Sequence, residues 1–288
     1  MTLSNKTELV RDIHARWAAI QSKARTIPVP LPKALELLGS SRKVAKSEEA
    51  FPLIRSRILY LAPAYEAFPD GAEDGRTLCP WATTCIAPCL GHNSGQLALP
   101  ASARARIWKT TLFLGDRKAF RALLGYELEA FRASCDRKGL LGAVRLDGAS
   151  DTGEAGRWAE RFPSLAFYDY TKSYARARTY NIPRHPENWS LCYSFDGKAS
   201  SRRKARKVLE AGGTVSVVFD SLPARKDREA GPLPLEWEGF PVFDGDAHDF
   251  LPADPGGAVR GLRFKAQRDR TGSLEAAGPF VERMGARA

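Results

Sequence analysis

Ala143-Val144-Arg145-Leu146, running into Asp147-Gly148-Ala149-Ser150-Asp151, is the stretch that sets the fold class. A short apolar run that stops at a cluster of Asp, Gly and Ser reads as a strand meeting a turn. The form recurs along the chain. Leu165-Ala166-Phe167-Tyr168 runs into Asp169-Tyr170-Thr171-Lys172, and the run from Trp189 to Phe195 passes Ser194 into Asp196-Gly197. The run from Thr214 to Phe219 meets Asp220-Ser221. Phe240-Pro241-Val242-Phe243 leads into Asp244-Gly245-Asp246-Ala247-His248-Asp249, and the run from Val259 to Phe264 into Lys265. Upstream, Ile58-Leu59-Tyr60-Leu61 is expected as the first strand and the run from Ile107 to Leu114 as the second. Helical stretches lie between them, amphipathic from about Arg117 to Lys138 and basic from Ser200 to Ala211.

Strands that alternate with helices pair in parallel through crossovers. Eight strands are the number a closed (β/α) barrel uses. The seventh has no helix behind it. The expected fold is therefore α/β, a (β/α) barrel of partial or irregular form, with an open doubly wound sheet as the alternative. At the start, Leu9, Val10, Ile13, Trp17 and Ile20 recur at helical spacing, and Pro28, Pro30 and Pro32 end that helix. A second helix is expected from near Pro32 through Leu38. The organisation read from this is an N-terminal helical cap over 1–52 and a barrel domain over 53–288.

With 288 residues, 43% of them hydrophobic, the chain can bury a sizeable core. It has no apolar run of about 18 residues and no apolar segment of a secretory type near its start, so a cytoplasmic protein without a membrane partner is expected. Five cysteines do not make a secreted disulfide framework. A net charge of +11 favours contacts with polyanions, which makes DNA or a nucleotide the expected partner. The densest basic run, Ser200 to Lys207, reads equally well as the polar face of a short helix.

In a parallel barrel the carboxyl ends of the strands share one face, where active sites sit. Asp147, Asp169 and Lys172 are the catalytic candidates on that face. A single Asp after a strand is more often a turn or cap residue, so the weight lies on the repetition. Lys172 would carry a long cation over the mouth. Asp244, Asp246, His248 and Asp249 suggest a metal by composition, but their spacing fits neither a calcium loop nor a zinc helix.

Cys79-Pro80-Trp81-Ala82-Thr83-Thr84-Cys85-Ile86-Ala87-Pro88-Cys89 follows the first strand and has the form C-x5-C-x3-C. Structural zinc is normally closed by four ligands. A cubane cluster held by three thiolates keeps one iron open for a small molecule, S-adenosylmethionine (SAM) being the familiar example. Cys79, Cys85 and Cys89 are therefore read first as ligands of a [4Fe-4S] cluster. Second comes a Cys3His zinc site completed by His92, and third a group of reduced thiols without metal. Cys135 and Cys192 are read as packing residues.

The Cys79–Cys85 segment with Cys89-Leu90, the run Val144 to Asp151, the run Phe167 to Lys172 and the run Val242 to Asp249 together resemble the gene product 88-like group of bacteriophage and prophage proteins. They are also distantly similar to radical SAM enzymes. The resemblance spans most of the chain after Tyr60. It implies a radical-SAM-like barrel with a cluster on the first loop, SAM on the open iron and an external electron donor. It also implies reductive cleavage of SAM to a 5′-deoxyadenosyl radical. Arg145, Ser150, Asp151, Ser194, Asp244 and Asp246 would then line the SAM or substrate pocket beside the catalytic candidates, with a nucleic-acid base in phage DNA modification as the substrate. The usual spacing in that superfamily is C-x3-C-x2-C, whereas here the gaps are five and three. No Gly-Gly-Glu segment follows the second run; Lys109 and Asp116 flank that position. The rival class is a non-catalytic nucleic-acid-binding protein whose iron or zinc staples a loop.

Overall fold

The computed structural model describes residues 5–89, 91, 95–178, 186–224, 226–265 and 270–284. Six of the expected runs fall on strands that pair in parallel, the first of them only at Ile58 and Leu59: β2 (Ile54–Leu59), β3 (Leu141–Arg145), β4 (Leu165–Thr171), β5 (Trp189–Ser194), β6 (Thr214–Phe219) and β9 (Val259–Arg263). The seventh expected run, β8 (Phe240–Asp244), adds in parallel beyond β9. Short β1 (Leu38–Gly39) and β7 (Glu236–Trp237) lie antiparallel on the two outer edges. The sheet order is β1-β2-β3-β4-β5-β6-β9-β8-β7, with β10 (Val281–Glu282) pairing β6 just beyond the point where β5 ends. β2 and β8 do not pair, so the fold is a mixed α/β one whose ten-stranded sheet is not closed by hydrogen bonds.

The run expected as the second strand is a helix. Ile107 to Leu114 lies inside α4 (Pro100–Gly115), which follows α1 (Lys6–Ala15), α2 (Trp17–Ala24) and α3 (Arg42–Ala50) in the chain. Pro100 starts α4 at a position where its missing N–H is no loss. Ile107, Trp108, Thr110, Thr111, Leu112 and Phe113 are all buried, so the helix shows no polar stripe. A continuous apolar run of that length does not tell a wholly buried helix from a buried strand. The helix expected from Pro32 to Leu38 is also absent. Leu37 and Leu38 instead donate their backbone N–H groups to the Glu127 carboxylate at 2.7–3.0 Å, and Leu38 then enters β1. The first expected helix breaks at Arg16, whose backbone (φ −101°, ψ 6°) separates α1 from α2.

Two of the remaining helices fall where the pattern places them, α5 (Arg117–Asp136) and, further on, the basic helix α8 (Ala199–Glu210); α6 (Ala155–Ala159), α7 (Tyr174–Ala177) and α9 (Arg270–Ala277) are short helices that the sequence reading did not specify. Asp116 caps α5 by accepting from Ala119 N at 2.9 Å. Alternate residues of each strand face opposite layers. Val144, Leu165 and Phe167 join Leu123, Leu128, Phe131 and Trp158 in the helix-covered core, to which Ile13 and Ile20 of α1 and α2 also belong. Tyr193, Val215, Val217 and Val259 extend that side against Ala205, Val208 and Leu209 of α8.

The opposite face carries Ile54, Ala143, Tyr168 and Cys192, packed against Phe250 and Leu251 of the β8–β9 connection. Two buried ion pairs cross the same layer, Arg145 to Asp249 at 2.7 Å and Arg260 to Asp254 at 2.5 Å. α3 bridges β2 and the segment that follows β8. On one side Glu48 accepts from Ser56 N of β2 at 2.8 Å. On the other, Ser47 Oγ accepts from Asp249 N at 2.9 Å, and Lys46 Nζ donates to Asp246 O at 3.2 Å. A helix side chain thus occupies an edge amide of β2 that would otherwise invite another strand. Among the described residues no helix is long and apolar enough to cross a membrane.

Candidate functional site

Asp147 organises the loop after β3. One of its carboxylate oxygens accepts from Ser150 Oγ (2.7 Å), Thr152 N (2.9 Å) and Thr152 Oγ1 (2.8 Å). The other accepts from Gly153 N at 2.7 Å. Asp151 ties this loop to the end of β4, accepting from Thr171 Oγ1 (2.8 Å), Lys172 N (2.9 Å) and Arg176 (2.7 Å). Burial raises the Asp151 pKa above the ordinary carboxylate value, against the pull of Arg176. Asp169 is 2% exposed; its Oδ1 accepts from Asp147 N at 2.7 Å. Its Oδ2 has no hydrogen-bond partner among the described residues. Burial, reinforced by the Asp147 charge, holds the Asp169 carboxyl well above the usual range.

The cysteine segment is strapped across these ends. Asp151 N donates to Leu78 O at 2.9 Å. Cys79 Sγ accepts from Ala64 N (3.3 Å) and donates to Ala149 O (3.6 Å). Farther along, Thr83 Oγ1 donates to Asp196 Oδ2 at 2.8 Å, and the Thr84 hydroxyl donates to the Asp196 carbonyl. Among the described residues Cys79, Cys85 and Cys89 form no disulfide, and all three are half-buried. Burial pushes the Cys79 thiol up to about 12, and the charges of Cys89 and Cys85 add to the rise. Cys135 and Cys192 are core residues.

Lys172 Nζ donates to Ser194 Oγ (3.0 Å), Ser194 O (3.2 Å) and Phe195 O (3.4 Å), and lies 5.0 Å from the centre of the Phe280 ring. It joins the carboxyl ends of β4 and β5. Arg145 turns to the opposite layer, where it pairs with Asp249 and stacks over Tyr170 at 4.5 Å. Asp244 and Asp246 lie at the end of β8 and just beyond it. Arg263 reaches both, at 2.8 and 3.4 Å, and Lys265 pairs with Asp246 at 2.9 Å. Lys109 and Asp116 stand apart from the strand ends, Lys109 donating to Leu37 O at 2.8 Å and Asp116 capping α5.

The candidates therefore divide into two groups. The first joins the three cysteines with Asp147, Ser150, Asp151, Asp169, Lys172 and Ser194. The others lie apart from it in separate ion pairs, Arg145 with Asp249, and Asp244 and Asp246 with Arg263 and Lys265. A family model described as gene product 88 matches residues 37–277, most of the chain. The protein belongs to the gene product 88 family. Neither a curated protein nor a solved structure was found to match it. The gene product 88 match opens one residue before β1 and closes at the last residue of α9, so α3, the cysteine segment and the whole parallel part of the sheet lie within it.

Among the described residues of this gene product 88 chain, no three His, Cys, Asp or Glu side chains converge on one metal ion. His92, the expected fourth zinc ligand, lies outside the described residues. Asp196, which receives the cysteine loop, was not among the sequence candidates, because one Asp before Gly197 looks like ordinary turn punctuation.

Proposed function

We propose that this gene product 88 protein is an iron–sulfur enzyme of radical SAM type, with its parallel strands curved into a partial barrel. The observation that carries this reading is the position of Cys79, Cys85 and Cys89, three cysteines outside any disulfide on the loop after β2, a loop fastened beyond the ends of β3 and β5. The donor set fits a cubane better than a single ion. A cubane takes each thiolate on a different iron, so its ligands stand farther apart than those of one zinc, and thiolates suit iron–sulfur clusters by softness. A [4Fe-4S] cluster there, with SAM at its open iron and an external electron donor, would supply a 5′-deoxyadenosyl radical.

The chain's own residues then have defined tasks. Asp147 and Asp151 hold the β3 loop in the shape against which Cys79 rests. Lys172 and Ser194 fix the ends of β4 and β5 beside Asp196, where Thr83 and Thr84 dock the cysteine loop. Asp169 lies in the buried layer beneath them, its carboxyl held well above the usual range by burial. A nucleic-acid base is the substrate this reading favours, supported by the net charge of +11 and the exposed Arg203, Lys204, Arg206 and Lys207 on α8.

Protein purified without oxygen should be brown, contain iron and sulfide in equal amounts, and form 5′-deoxyadenosine from SAM and a reductant. Cys85→Ala should lose the cluster, while Cys135→Ala keeps it. Colourless protein with stoichiometric zinc would overturn the proposal in favour of a stapled nucleic-acid-binding loop. A brown protein that never cleaves SAM would overturn the SAM reading alone.

A further inference from the structure

We propose that Asp196 is a positioning residue of the cysteine triad, which fixes Cys85 before any cluster is bound and so preforms the C-x5-C-x3-C loop. The loop from Cys79 to Cys89 contains no helix or strand. Ala82 N donates to Cys79 O (2.9 Å), Ile86 N to Thr83 O (3.3 Å) and Cys89 N to Ile86 O (3.2 Å), three single turns in series. Where the sulfurs stand is therefore decided by the points that tie this run to the sheet ends. Cys79 has its own tie, with Sγ between Ala64 N and Ala149 O. The second tie is Asp196. Thr83 Oγ1 donates to its Oδ2 at 2.8 Å. The hydroxyl of Thr84, the residue directly before Cys85, donates to its carbonyl.

Asp196 is itself held from several sides. It is buried just past the end of β5, where Phe195 N donates to Ser216 O at 3.0 Å. Lys198 N donates to its Oδ1 at 3.1 Å, and Gly197 is packed too closely against Pro279 to carry a side chain. One carboxylate oxygen thus closes the Asp196 turn while the other takes Thr83. Asparagine has a single acceptor oxygen and could keep only one of these bonds. Five residues between two ligands of one cluster make a long tether, and ordering it costs conformational entropy. Anchoring Thr83 and Thr84 inside that gap meets part of the cost during folding, before metal binding has to. Residues behind the ligands of a metal site commonly act in this way. The role towards a cluster rests on the iron–sulfur reading; the hold on Cys85 rests on the hydrogen bonds alone.

The test starts from the metal-free, reduced full chain, treated with iodoacetamide, with the rate at each cysteine read by peptide mapping. Thr83→Val removes the hydroxyl and keeps the side-chain shape. Cys85 should then react about fivefold faster, as the loss of one hydrogen bond implies, while Cys79 keeps its rate. Asp196→Ala should raise the Cys85 rate further, and Thr83→Ser should restore the original one. Cys135 and Cys192 are buried and should stay slow throughout, which reports an intact fold. After anaerobic reconstitution, Thr83→Val should hold less iron and sulfide than the unaltered protein, and Thr83→Ser an equal amount. An unchanged Cys85 rate in Asp196→Ala, or equal acceleration at every cysteine, would overturn the positioning role. Full iron content in a variant whose Cys85 reacts faster would overturn its part in cluster assembly. Unaltered protein that takes up no iron would overturn the iron–sulfur reading instead, and the alkylation rates would still decide whether Asp196 holds Cys85.

Discussion

At the scale of single residues, Asp169 shows how burial rather than spacing assigns chemistry. One oxygen accepts from Asp147 N and the other has no hydrogen-bond partner among the described residues, in a layer that also contains the Asp147 and Asp151 charges. Its folded pKa lies above the ordinary 3.8, so the unfolded chain ionises first as pH rises. Stability from this group is therefore full below about pH 4 and declines as pH climbs towards the folded value. Asp169→Asn keeps the acceptor for Asp147 N and cannot ionise. In urea titrations it should match or exceed the original protein at pH 7, and any advantage should vanish in acid. Asp169→Ala strands the Asp147 amide and should cost about 1–3 kcal/mol at both pH values. Equal loss in the two variants at pH 7 would show that volume, not the proton, sets the cost. The cysteine triad was legible at this scale because three thiols in eleven residues are conspicuous in any context. Asp147 and Asp151 were legible as strand-end carboxylates, but not as loop fasteners, since spacing does not reveal which amides a carboxylate will collect. Asp196 was illegible because its partners Thr83 and Thr84 lie far along the chain.

At the scale of elements, strands were read well where a turn signal closed the apolar run and poorly where none did. Thr214–Phe219 and Phe240–Asp244 end at Asp, and the structure ends them there or within one residue. The run from Ile107 to Leu114 has no such stop; it is the second half of a helix buried on nearly every side. The β7–β8 hairpin carries its own signal, Glu238-Gly239 with φ of 54° and 81°, as a two-residue turn of mirror-image type requires. Gly197 is the element-scale position most exposed to test. Its φ is +85°, and a Cβ there would stand 1.7 Å from Pro279 O, in the segment that leads into β10. Gly197→Ala combines a strained backbone with a backbone clash, so a loss of more than about 2 kcal/mol is expected in chemical denaturation. Faster hydrogen exchange at Val281 and Glu282 than elsewhere in the sheet should accompany it. Unchanged exchange there would mean that β10 does not depend on this close approach.

At the scale of the whole molecule, the question is how far the division at residue 52 describes a physical boundary. β1 pairs with β2, and α3 joins the β2 edge to the segment after β8, so chain from both sides of that division shares hydrogen bonds. Ile13 and Ile20 of the first two helices are 0% and 3% exposed and belong to the same core as Leu123, Val144 and Phe167. Arg16 of the same region pairs with Asp116 at 2.7 Å. A segment that contributes to the common core should unfold with it and not before it. Ile13→Ala removes buried methyl groups whose loss costs about 2–5 kcal/mol in a well-packed core. Its effect should appear as one lower urea midpoint, the same by far-ultraviolet circular dichroism, by tryptophan fluorescence and by proteolysis within the first 25 residues. If residues 1–52 were instead a separable cap, the variant would become sensitive to proteolysis there while the sheet kept its original midpoint. That outcome would also leave the cysteine loop at its original stability only if α3 stayed behind with the sheet. The bonds from Glu48 to Ser56 and from Asp249 to Ser47 require that it does.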